Sequence, residues 1–133
     1  MLISEAFLKF KAKQKNVNWS VSSFNTDNEL VLSLWAQYFN TTENNGCKTQ
    51  TYIDSASRWG GNGNREFIAN MDLAKQKNSI IRAIIAKTNH PEIVESGGDA
   101  SKLINTLSPK LDWVGEIKVW DGDNFEIEFS REI

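Results

Sequence analysis

The residues best suited to chemistry lie close together between Tyr52 and Phe67. Arg58 and Arg65 bracket a turn, Gly60-Gly61-Asn62-Gly63-Asn64, with Trp59 beside the first arginine. Glycines such as Gly61 and Gly63 let backbone amides approach a ligand closely. Here they lead into an expected helix, whose first amides attract anions. The two arginines could pair with phosphate. Trp59 could stack on a base, with Tyr52 or Trp35 supporting it. The spacing is not that of a nucleotide-binding P-loop, because no Gly-Lys-Ser/Thr follows, and the Gly-x-Gly-x-x-Gly fingerprint is absent. The competing account is a glycine-rich connector. On that account Arg58 and Arg65 pair internally with Asp54 or Glu66, and Trp59 is buried.

Other constellations are weaker. Glu116-Ile117-Lys118 matches the Glu-x-Lys part of a metal-dependent nuclease pattern, in which two acids hold a divalent ion and the lysine positions water. The second acid would be Asp112, Asp99 or Glu95. Asp112 is too near in sequence, and the other two fall in an expected loop. The alternating pattern instead puts Glu116 and Lys118 on the solvent face of a strand, opposite Glu126 and Glu128. Asp121, Asp123 and Asn124 lack the spacing of a calcium loop and read as turn residues. Cys47 and His90 are the sole residues of their types. They are too few for a structural zinc site, and nothing brings them together as a nucleophile and its base. No metal or cofactor is expected.

The elements that must position these residues follow from periodicity. Ser4 can cap a helix over about 5–15, with Phe7 and Phe10 inward and Lys9, Lys11, Lys13 and Lys15 near its C-terminal end. Val17, Trp19 and Val21 alternate as in a strand. Asn25 to Asn28 form a turn. The run from Glu29 to Phe39 reads as a strand apolar on both faces, with Leu30, Leu32 and Leu34 on one and Val31 and Trp35 on the other. Residues 40–50 read as a polar loop, and Tyr52-Ile53 as a short strand. A second helix over about 65–77 follows, with Asn64 as its cap. The isoleucines of 79–87 favour a buried strand, although 80, 81, 84 and 85 also fit a helix face. Residues 89–109 read as loop with short helical turns, started by Pro91 and capped by Asp99 or Ser101. A C-terminal hairpin carries Trp113, Ile117 and Val119 on one strand and Phe125, Ile127 and Phe129 on the other, joined at Asp121-Gly122-Asp123-Asn124. The expected fold is a single α+β domain: a mainly antiparallel sheet of about five strands with two main helices.

The 133 residues suit one such domain. A lone cysteine and the lack of a signal-like start suggest a cytoplasmic protein. No apolar run approaches the roughly 20 residues of a membrane span, so no membrane partner is expected. The net charge of −2 divides unevenly. Residues 1–87 hold 11 Lys/Arg against 7 Asp/Glu, and residues 88–133 hold 4 against 10. This suggests a basic face on the first two-thirds and an acidic last third. Trp19-Ser20-Val21-Ser22, Ser33-Leu34-Trp35, Ser57-Arg58-Trp59 with Gly63-Asn64, Asp99-Ala100-Ser101-Lys102 and Trp113-Val114-Gly115 with Asp121-Gly122-Asp123 together resemble a group of short bacterial proteins of unassigned function. That resemblance implies no catalytic residue.

The leading functional expectation is a small non-enzymatic binding protein that meets nucleic acid or a nucleotide-like anion at residues 58–65. The second is a protein–protein or inhibitor module using the acidic last third. The third is the nuclease.

Overall fold

The computed structural model of the chain describes residues 1–44, 46–98 and 105–131. Its elements are α1 (Ile3–Leu8), β1 (Ser22–Phe24), β2 (Leu30–Trp35), β3 (Phe39–Asn44), β4 (Cys47–Ser55), α2 (Asn62–Lys77), β5 (Ile81–Thr88), α3 (Pro91–Glu95), β6 (Asn105–Pro109), β7 (Trp113–Trp120) and β8 (Asn124–Arg131). The α+β class holds, but the sheet has eight strands rather than about five. It runs β1-β2-β5-β7-β8-β4-β3, with β6 pairing the later part of β5. It is also mixed, because β2 and β5 are parallel. A parallel pair needs a crossover, and the hairpin β3–β4 followed by α2 supplies it.

β2 and β5 are the apolar centre. Leu30, Leu32 and Leu34 point to the α2 side, where they join Phe67, Met71, Ala74, Ile81, Tyr52 and the β8 residues Phe125, Ile127 and Phe129. Val31 and Ile84 point to the other side, under Ala6, Phe7, Phe10 and Ala12. The strand alternative for 79–87 is therefore the one adopted. The sheet curls around α2. Although three strands separate β2 from β4 in sheet order, the Trp35 N–H reaches the Tyr52 hydroxyl at 3.4 Å. Gly115 is needed inside this curl, since a Cβ there would lie 2.5 Å from the Phe129 ring.

Several expectations change. Only α2 is long; α1 has six residues and stops at Leu8, and its N-cap position is Leu2 rather than Ser4. Lys11 turns left-handed (φ 62°), so the Ala12 N–H bonds back to the Phe7 carbonyl and Phe10 swings into the core. The lysines after Lys9 are thus beyond the helix. Residues 17–21 form no strand, because Asn16 captures the chain: its side chain accepts from the Asn18 N–H, and its carbonyl from the Ser20 N–H. Residues 40–50 contain strand, not loop. The threonine-rich hairpin β3–β4 sits at the sheet edge, where exposed polar strands show no apolar alternation. The nine-residue β4 contains Tyr52 and Ile53, and β6 occupies part of the expected loop before Pro109. A bulge between Ile117 and Val119 turns Val119 out to solvent. Pro91 does open α3. Asp99 and Ser101, the other suggested caps, and Asp99 as a metal ligand lie outside the described residues.

Candidate functional site

The glycine-rich turn is built, but Arg58, Gly63 and Asn64 are engaged by the protein itself. α2 starts at Asn62, three residues earlier than expected, and its N-cap position is Gly61 rather than Asn64. Asn64 therefore lies inside the first turn, and it is buried. Its side-chain amide donates to the Ala56 carbonyl at 2.7 Å. Gly63 allows a close approach, but to the protein's own backbone: a Cβ would lie 2.4 Å from the Trp19 carbonyl oxygen. Gly61, at φ 99°, is open to solvent.

Arg58 is held on all sides. Its Nε donates to Asp54 Oδ1 at 2.8 Å and its Nη2 to Asp54 Oδ2 at 2.7 Å. Its Nη1 donates to the Val94 carbonyl at 2.8 Å. The guanidinium also lies 4.7 Å from the Tyr38 ring centre and 4.9 Å from that of Trp59. Side-chain exposure is 14% for Arg58 and 4% for Asp54. Burial alone would lower the Arg58 pKa, but the bonds and charge of Asp54 reverse this and raise it. A neighbouring loop seals the clamp, since a Cβ on Gly97 would meet the Arg58 carbonyl at 2.4 Å.

Tyr52 completes the cluster, and its hydroxyl donates to Asp54 Oδ2 at 3.2 Å. Burial pushes this phenol well above its ordinary value, and the Asp54 charge adds to the effect. Because the raised value belongs to the folded state, the unfolded phenol ionises first. Stability should therefore be complete below pH about 10 and fall above it. Tyr52→Phe should flatten that fall while costing about 0.5–1.5 kcal/mol at neutral pH, read by urea unfolding across the alkaline range. Tyr38, raised by burial in the same direction, should leave a smaller residual slope.

Of the eight expected ligand contacts, Tyr52, Arg58 and Trp59 are thus parts of one internal cluster, to which Trp35 is linked by its backbone N–H. Trp59 is half-buried on Phe67, with ring centres 5.3 Å apart, and Trp35 is half-buried. Gly61 and Arg65 stay exposed, and Arg65 bonds to the Asn62 side chain rather than to Glu66. Asp54 is the internal partner that the competing account of the turn offered for Arg58, and Tyr38 is the neighbour that the sequence reading lacked.

Among the described residues the nuclease pattern does not assemble. Glu116 and Lys118 are exposed and 3.3 Å apart, and Asp112 is bonded to Arg131 at 2.8 Å. Among the described residues no group of three or more His, Cys, Asp or Glu could hold a metal ion. Cys47 is exposed at the start of β4, and His90 contacts Glu92. Among the described residues no helix is long and apolar enough to cross a membrane.

A second surface is set by register. α1 covers the β2, β5 and β6 side of the outer sheet face. No helix of the described residues covers the outer face of β7, β8, β4 and β3. Cross-strand pairing there gives three rows. Ile53 and Val119 flank Glu126. Asn40, Thr51, Glu128 and Glu116 form the next row. Thr42, Thr49, Ser130 and Val114 form the third. Ile53 and Val119 are 50% and 46% exposed. Glu116 and Glu128 are direct cross-strand partners, an arrangement that costs stability.

No known protein family, curated protein or solved structure matches the chain.

Proposed function

We propose that the protein is a non-enzymatic binding protein that docks a basic protein surface on the outer face of β3, β4, β8 and β7. The carrying observation is the outer face, covered by no helix of the described residues, on which Glu116, Glu126 and Glu128 adjoin exposed Ile53 and Val119. Three carboxylates with one lysine nearby favour lysine- and arginine-rich surfaces by charge, and the aliphatic side chains add contact area. The like-charge pair Glu116–Glu128 would be relieved by a partner's cation. The reading for an anionic ligand retains Arg65, Gly61 and the first amides of α2. It loses Arg58, whose charge is already matched by Asp54.

A lysine- and arginine-rich peptide, titrated against the labelled protein, should move amide resonances of β4, β7 and β8. Glu128→Lys separates the two roles of this face. It should raise stability by about 0.2–1 kcal/mol by converting a like pair into an opposite one. It should also weaken the peptide at least about tenfold. Peptide shifts that avoid this face, or an unchanged affinity in Glu128→Lys, would sink the proposal. A single-stranded oligonucleotide that instead moved the amides of residues 60–65 would restore the anion site.

A further inference from the structure

The segment after α1 presents a line of lysines. Phe10, Ala12 and Gln14 are 6%, 1% and 6% exposed, while Lys9, Lys11, Lys13 and Lys15 between them are exposed. The chain is pinned in this register. The Asn25 side-chain amide donates to the Phe10 carbonyl at 3.0 Å, and the Thr26 N–H to the Lys11 carbonyl at 3.3 Å. The Ser23 hydroxyl donates to the Lys13 carbonyl at 2.7 Å, and Gln14 Nε2 to the Ser20 carbonyl at 2.7 Å. No salt bridge among the described residues involves any of the four ammonium groups. Large aliphatic side chains of the same stretch are exposed as well: Leu2, Leu8 and Val17 are 67%, 61% and 60% exposed. Leu8 lies on the outward side of α1, away from buried Ala6 and Phe7, and Leu2 is its N-cap residue. Glu5 is the one acid in residues 1–17.

We infer that this surface binds the face of an anionic lipid bilayer. Two features choose lipid over nucleic acid. Residues 1–17 contain no arginine, and both their phenylalanines are buried, so the bidentate phosphate grip and the stacking platform of nucleic-acid surfaces are missing. Lysines beside exposed leucine and valine instead suit the boundary between lipid headgroups and acyl chains. The contact is peripheral: the ammonium groups meet lipid phosphate and carboxylate, and the aliphatic side chains enter shallowly. A bilayer surface holds many weakly attracting headgroups, so a fixed row of lysines gains from all of them at once.

The test is co-sedimentation of the full chain with vesicles of phosphatidylcholine alone and with phosphatidylserine at roughly one lipid in three. Binding should be at least about tenfold stronger to the anionic vesicles and should fall as salt rises. Lys13→Glu with Lys15→Glu should cut it about tenfold or more. Leu8→Ser should weaken it severalfold at unchanged salt dependence. Thermal melting of each variant should match the parent, since all three side chains are exposed. Equal binding to both vesicles, no binding, or unchanged binding in the lysine variant would overturn the inference. It would also fail if a single-stranded oligonucleotide bound the lysine surface while vesicles did not.

Discussion

Arg58→Ala is expected to lose about 3–5 kcal/mol of stability, the cost of leaving one partner of a buried ion pair alone. The carboxylate left behind, Asp54, is 4% exposed and would keep only its bonds from Tyr52 and the Ser55 N–H. The loss extends beyond charge. Arg58 also ties β4 to the end of α3 through the Val94 carbonyl and lies against two aromatic rings. Arg58→Lys should recover little, because an ammonium cannot make the two parallel bonds to Asp54 or stack as a planar group. Asp54→Ala should cost a similar amount, and the double variant should cost clearly less than the sum of the single ones, since the two effects share one pair. Urea unfolding of the four proteins is the measurement. If Arg58→Ala lost under about 1 kcal/mol and instead lost affinity for an anion, the arginine would be serving a ligand.

Ile127→Ala should cost about 2–5 kcal/mol, and Ile117→Ala should fall in the same range. The two face each other across β7 and β8, and they are 0% and 7% exposed. Ile127 should be nearer the upper end, because it is fully enclosed among Tyr52, Phe125 and Phe129, which leaves the larger cavity unfilled. Glu116→Ala and Lys118→Ala, one strand position to either side of Ile117, should each cost less than about 1 kcal/mol, as exposed pairs do. Thermal or urea unfolding of the four variants would show the alternation directly. A large loss in Glu116→Ala would mean that the outer face of β7 is covered after all.

The parts read correctly in the sequence are those whose burial alternates at short range. Phe125, Ile127 and Phe129 mark β8, and Leu30, Leu32 and Leu34 against Val31 mark a strand covered on both faces. Phe67, Met71 and Ala74 mark the inner side of α2. In each the side chains report the local backbone period, so no knowledge of distant residues is needed. Edge strands gave no such report. Thr41, Thr42, Lys48 and Thr49 pair in a hairpin that solvent touches on both faces. The lysines from 9 to 15 looked helical by charge, but a left-handed Lys11 and the burial of Phe10 made them a pinned, non-helical line.

The chemistry of the turn was the least legible. Composition by itself determined that two arginines, a tryptophan and several glycines adjoin a helix start. That Asp54 could answer Arg58 was one of the readings it allowed. Only the tertiary structure shows which of those groups, Arg58 and Gly63 among them, have the protein itself as partner. The Arg58 grip closes on Val94, 36 residues onward, and Gly63 and Gly97 admit the carbonyls of Trp19 and Arg58. The outer acidic face likewise exists only because β4 lies beside β8, which aligns Ile53 with Glu126. Local pattern sets which way a side chain points along its own strand. Which strand lies next to it is set by long-range packing, and that neighbour determines whether a charge is matched internally or left for a partner.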